Sequence, residues 1–209
     1  MASTLIVPGL HGSGPAHWQS WLEALLPDAR RVHQDDWSCP ALPAWAERVT
    51  AEIDHAHGPV LLVAHSFGCL ASAVAAARRP QRVAGLLLVA PADPDKFGVA
   101  AALPTTPFAV PSLVVASTND PWVGLGTARA WAQRWGSRLV NVGAKGHINT
   151  DAGFGPWPEG HALYESLAQA AALRTPRPPT LPARLPRRAE LALPPAAPSF
   201  LRGGLAAPH

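Results

Sequence analysis

Three residues of this chain have the types and spacing for nucleophilic chemistry. Ser66 stands in Ala64-His65-Ser66-Phe67-Gly68, between an apolar run and an alanine-rich stretch. A strand–turn–helix with small residues two places before and after the serine lifts its hydroxyl out of a tight turn, as a nucleophile elbow requires. Asp120 follows another apolar run in Ser117-Thr118-Asn119-Asp120-Pro121, and His147 follows a third in Gly146-His147-Ile148. A serine, a base to take its proton and a carboxylate to orient that base together perform acyl transfer. Taken singly, the Asp before a Pro also reads as an Asx-turn cap and the loop His as a solvated side chain. The conjunction of all three at the ends of apolar runs favours chemistry.

Acyl transfer also needs two N–H donors aimed at the developing oxyanion. The glycine-rich stretch Pro8-Gly9-Leu10-His11-Gly12-Ser13-Gly14 offers the Leu10 amide, and the residue after the nucleophile offers that of Phe67. No Lys-Ser/Thr follows the glycines, which excludes a phosphate-binding loop of the P-loop type. Asp93 and Asp95 lie after the preceding apolar run and stand as alternatives to Asp120 for the acid. His65 is expected to pack away from the site. His11 and His17 are candidates for lining a substrate pocket, as are the loop tryptophans Trp37, Trp122 and Trp157. Trp18, Trp21, Trp45, Trp131 and Trp135 fall at helical positions and read as packing residues. The chemistry needs no metal and no organic cofactor, and no His/Cys cluster has zinc-site spacing.

The elements that must position these residues are legible as two alternating textures. Short apolar runs at 4–7, 31–33, 60–64, 83–89, 112–116 and 139–142 read as buried strands. Segments 17–26, 41–55, 68–78, 125–135 and 159–173 read as helices. Alternation of this kind predicts right-handed βαβ units, hence a three-layer α/β/α sandwich around a mostly parallel sheet of about six strands. In such sheets ligands bind beyond the C-terminal strand ends, which is where Ser66, Asp120 and His147 fall. The order Ser, Asp, His along the chain is the one expected for that architecture. The stretch from Pro91 to Pro111 is too short for a cap domain, so a lidless, shallow site is expected.

At 209 residues the chain has room for one full domain. The predicted division is an enzymatic domain over 1–173 and a Pro/Arg-rich tail over 174–209, read as disordered or polyproline-like. The tail explains the basic balance. It holds six arginines and one acid, which leaves 11 basic and 13 acidic residues in 1–173. A nucleic-acid-binding groove is therefore not expected. No apolar stretch is long enough to span a membrane and the N-terminus lacks a signal-peptide pattern, so cytoplasmic residence is expected. Cys39 and Cys69 read as two buried free thiols. The tail reads first as a solvated extension, with binding of a protein partner or an acidic surface an open alternative that its composition does not specifically support.

The chain resembles the small serine hydrolases related to retinoblastoma-binding protein 9, a compact branch of the α/β-hydrolases. The resemblance rests on Val7-Pro8-Gly9 with Trp18, Asp36-Trp37 with Pro40 and Trp45, and His65-Ser66-Phe67-Gly68. It continues through Ser117-x-Asn119-Asp120-Pro121, Gly146-His147-Ile148-Asn149 and Gly153-Phe154-Gly155-x-Trp157-Pro158-Glu159-Gly160. It spans residues 5 to about 170. It implies a flavodoxin-like parallel sheet without a separate lid and the triad Ser66, Asp120, His147. The expected substrates are small carboxylic esters, with aminoacyl esters or amides second. The competing expectation is a catalytically silent binding module on the same fold. A dehalogenase is disfavoured because those enzymes carry a carboxylate where this chain has Ser66.

Overall fold

In the computed structural model, which describes residues 2–174, the apolar runs assemble into one six-stranded sheet. The strands are β1 (Ser3–Val7), β2 (Ala29–Arg31), β3 (Val60–His65), β4 (Val83–Val89), β5 (Ser112–Ala116) and β6 (Arg138–Asn141). Their order is β2-β1-β3-β4-β5-β6, and every neighbouring pair is parallel. The helices are α1 (Trp18–Leu25), α2 (Leu42–His55), α3 (Phe67–Arg78), α4 (Leu125–Arg134) and α5 (Pro158–Arg174). Each lies within a residue or so of its predicted span. The expected tail over 174–209 lies, from 175 onward, outside the described residues.

Burial explains why the central strands read as unbroken apolar runs. β3 and β5 are buried at every residue because helices cover both faces of the sheet. On one face Leu62, Ala64, Leu86 and Leu88 pack against Trp45 and Val49 of α2, Phe67 and Leu70 of α3, and Trp131 of α4. On the other, Ile6, Leu61, Val63 and Leu87 meet Trp18 and Leu22 of α1 and Leu167 of α5. The two faces alternate along β3, so His65 projects on the α1 side, among the rings of His17 and Trp18.

Two expectations are corrected. The second strand is Ala29–Arg31 rather than 31–33. It is a three-residue edge strand carrying two arginines, and its ladder is extended by the Val32 N–H, which donates to the Ile6 carbonyl at 2.9 Å. The buried Val32 marked this region but lies just past the paired residues. Of the cysteines, Cys69 is buried, whereas Cys39 is exposed on the loop before α2. Between β4 and β5 the chain forms only a short 3₁₀ turn, Ala100–Ala102, with no cap over the sheet. No helix among the described residues is long and apolar enough to cross a membrane.

Candidate active site

The turn after β3 takes Ser66 to φ 52°, ψ −124°, a conformation that costs a non-glycine residue on the order of 1–3 kcal/mol. The Ser66 N–H donates to the Val89 carbonyl at 3.1 Å, and its own carbonyl accepts from Ala92, so β4 holds the turn in place. The neighbouring glycines are needed for space. A Cβ on Gly68 would fall 2.3 Å from the Pro8 carbonyl oxygen, and one on Gly9 would fall 2.7 Å from the Ser66 Cβ. The Gly9–Leu10 main chain thus passes directly beside the serine. Phe67 opens α3, so its N–H has no intrahelical acceptor and lies at the positive end of the helix dipole.

Ser66, His147 and Asp120 form one hydrogen-bonded chain. The Ser66 hydroxyl and His147 Nε2 are 3.0 Å apart. On the other side of the ring, Nδ1 lies 2.8 and 3.0 Å from the two Asp120 carboxylate oxygens. A carboxylate only accepts, which places the imidazole proton on Nδ1 and leaves Nε2 free to accept from the serine. The Asp120 side chain is fully buried against the imidazole. Its Oδ1 also accepts from the Trp122 N–H at 2.8 Å, so the Asx turn is present as well and fixes the carboxylate. Asp93 makes a similar turn, accepting from the Asp95 amide at 3.1 Å, but it is the Asp120 carboxylate that meets His147 Nδ1.

The loops bearing the acid and the histidine are stitched together by groups that sequence reasoning did not assign. Ser117 Oγ accepts from the Lys145 N–H at 2.9 Å, and Asn119 Oδ1 accepts from the Gly146 N–H at 2.7 Å. That explains why Ser117 and Asn119 accompany Asp120. Below the first loop, Gln19 is completely buried. Its amide donates to the Val7 and Val63 carbonyls at 3.2 and 3.0 Å and accepts from the Ser13 hydroxyl at 2.6 Å. It therefore joins the ends of β1 and β3, the strands that lead to Leu10 and Ser66. A polar residue on the apolar face of α1, between Trp18 and Leu22, was the signal available in the sequence.

The expected pocket residues separate into two groups. Trp122 is 58% exposed, with its ring centroid 6.4 Å from that of His147, and its carbonyl accepts from Lys96 Nζ at 2.8 Å. Trp37 is half-buried, stands edge-on to Trp45, and its carbonyl accepts from the N–H of exposed His11. Trp157 is not a pocket wall. It is buried edge-on against Trp18 and Phe154, and Gly160 is needed to make room for its ring. Its place just before α5 put it among loop residues in the sequence, but its ring fills the α1–α5 side of the core. His17 is likewise buried, where its Nδ1 caps α1 by accepting from the Gln19 N–H at 3.1 Å. Burial, followed by the nearby charges of Arg31 and His147, lowers its pKa to about 4.

A cleft of about 610 Å³ lies remote from this chemistry, at the N-terminal ends of β5 and β6 between Ser112, Arg138 and Arg174. Among the described residues no group of three or more His, Cys, Asp or Glu side chains is arranged to hold a metal ion.

Comparison with known proteins agrees with this architecture. The chain is similar to a YdeN-like hydrolase from Pectobacterium atrosepticum, with 39% identity, a TM-score of 0.76, and coverage of 83% of this chain and 92% of the other. The YdeN gene product of Bacillus subtilis shares the fold at 23% identity and a TM-score of 0.66, covering 81% of this chain and all of that one. A thermophilic esterase from Thermogutta terrifontis shares it at 15% identity and a TM-score of 0.59, covering 82% and 91%. No curated protein matches the chain. The sequence profile of the serine hydrolase family matches residues 4–166, which takes in the serine, the aspartate, the histidine and all of the sheet but its first residue; this chain belongs to that family of serine hydrolases.

Proposed function

We propose that the protein hydrolyses small carboxylic esters through an acyl-enzyme on Ser66. The observation that carries this reading is the unbroken chain from Ser66 Oγ through the His147 ring to the Asp120 carboxylate, with links of 3.0 and 2.8 Å. His147 Nε2 takes the hydroxyl proton as Ser66 Oγ attacks the ester carbonyl. Asp120 holds the tautomer and stabilises the imidazolium that forms. The Leu10 and Phe67 N–H groups receive the oxyanion, each donor worth about 3–4 kcal/mol of barrier. The Nδ1-paired imidazolium then protonates the leaving alcohol, and water, activated by the same histidine, releases the acid.

Support for a small acyl substrate comes from the surroundings. The link between β4 and β5 contributes only Ala100–Ala102 as regular structure, so the serine lies under no cap from that connection. Exposed Trp122 supplies an apolar flank beside His147. Aminoacyl esters and amides are the second substrate class to screen.

The test is labelling with a fluorophosphonate probe, with the modified peptide identified by mass spectrometry. Label is expected on Ser66 and absent from Ser66→Ala, followed by turnover of short-chain p-nitrophenyl esters. A folded wild-type protein that takes no label would overturn this reading in favour of a silent binding module.

A further inference from the structure

The main chain around His147 is held in a conformation it would not adopt alone. Gly146 has φ 55° and Ile148 has φ 49°, so the histidine lies between two residues in the left-handed region. For a β-branched residue such as Ile148 that is a true outlier, and its side chain is completely buried. Four hydrogen bonds from outside the loop reach the main chain of residues 145–148. Two come from the Asp120 side, accepted by Ser117 and Asn119 from the Lys145 and Gly146 amides. The other two end on the carbonyls of the strained turn. His65 Nε2 lies 2.9 Å from the His147 oxygen, and the Trp18 indole N–H donates to the Ile148 oxygen at 2.9 Å.

The His65 contact has a definite polarity. A carbonyl oxygen can only accept, so the proton sits on Nε2. Burial, with His147 and His17 adding to it, drives the His65 pKa well below its ordinary value, which keeps the ring neutral with a single N–H. His65 is also the residue immediately before Ser66, in register with Val89 on β4. The bond therefore runs from the nucleophile's own strand end to the main chain of the histidine 82 positions later.

Resting on the assignment of Ser66 as nucleophile and His147 as base, we propose that His65 is a positioning residue, assisted by Trp18. Its Nε2–H fixes the His147 backbone against the end of β3 and so sets the separation between Ser66 Oγ and His147 Nε2. The purely structural alternative is that His65 only fills space among the rings of His17, Trp18 and His147, whose centroids lie 4.9, 6.1 and 4.9 Å away.

Three substitutions separate the two roles. Gln carries an amide nitrogen near the Nε2 position, Asn places its amide where Nδ1 would be, and Phe keeps a ring with no donor. The readouts are the rate of fluorophosphonate labelling at Ser66, kcat and KM for p-nitrophenyl acetate, and Tm. His65→Phe and His65→Asn are expected to slow labelling and kcat by about 10–100-fold, with KM within about twofold, because loss of alignment acts on the chemical step. His65→Gln is expected to recover to within about threefold of wild type. Trp18→Phe, which keeps the ring packing and removes the second donor, is expected to slow labelling by about tenfold and decides the matter should the His65 variants not fold. Wild-type labelling rates in His65→Phe, or in Trp18→Phe in that second case, would overturn the proposal, as would an effect confined to Tm. Failure of the wild type itself to label is a different result and refutes the assignment of Ser66 instead.

Discussion

Gly68 and Pro8 approach so closely that a Cβ on the glycine would meet the proline carbonyl oxygen at 2.3 Å. The contact sets the start of α3, with the Phe67 N–H, against the loop that carries Leu10. A methyl group there has only backbone to push against, so one of the two segments must shift. Gly68→Ala is therefore expected to leave a folded protein whose Ser66 reacts about 100-fold more slowly, the scale of loss that accompanies a displacement near 1 Å. Fluorophosphonate labelling beside a circular dichroism spectrum checks it; labelling at the wild-type rate would show that the oxyanion donors do not depend on this approach.

The strained serine predicts a trade between stability and activity. Ser66 has φ 52°, a region open to glycine at no steric cost. Ser66→Gly removes strain of about 1–3 kcal/mol and adds unfolded-chain entropy of about 0.5–1 kcal/mol. The expected net gain of about 1 kcal/mol raises Tm by about 2–4 °C while abolishing labelling. Ser66→Ala loses the label but keeps the strain, so its Tm stays near that of wild type. Equal Tm values for the glycine and alanine variants would refute strain at this turn.

Gln19 gives a prediction about stability rather than catalysis. Its amide satisfies two buried carbonyls and one hydroxyl across β1, β3 and the first loop. Gln19→Leu preserves volume but strands these groups, with an expected cost of about 2–4 kcal/mol. Urea unfolding measures it, and a change below about 0.5 kcal/mol would mean that the carbonyls are satisfied without the amide.

What could be read from the sequence was what is local. The Ser66 turn, Asp120 before Pro121 and His147 after Gly146 each follow an apolar run that becomes a strand, so their place beyond the C-terminal strand ends follows from the parallel architecture. The parts that were missed depend on residues far apart in the chain. Trp18 meets Ile148 across 130 positions, and His65 meets His147 across 82. No periodicity encodes such pairs. Trp157 was misplaced for the same reason: a tryptophan in a loop near the strand ends looks like a pocket wall until the packing of α1 against α5 shows a space of its shape. Gln19 was passed over because a single polar residue on an apolar helix face says that something is bound, but not what.

The buried histidines make stability depend on pH in a definite direction. His17 has a pKa of about 4 in the folded protein against 6.5 for an ordinary histidine, chiefly because burial disfavours the cation. Between pH 6.5 and about 4 the unfolded chain holds a proton at this position that the folded protein does not, so stability falls as the pH falls through that window. Above it both states are neutral, and below it both are charged, so the dependence on this residue vanishes on either side. Asn at position 17 keeps an oxygen to accept from the Gln19 N–H and cannot titrate. From pH 7.5 to 4.5 the wild type is expected to lose about 2–3 kcal/mol more than His17→Asn, read from urea midpoints at the two pH values. His65 is common to both proteins and its shift comes chiefly from burial, so its contribution cancels apart from the smaller part that His17 itself adds. Identical losses in the two proteins would show that His17 takes up its proton in the folded state as readily as in the unfolded chain.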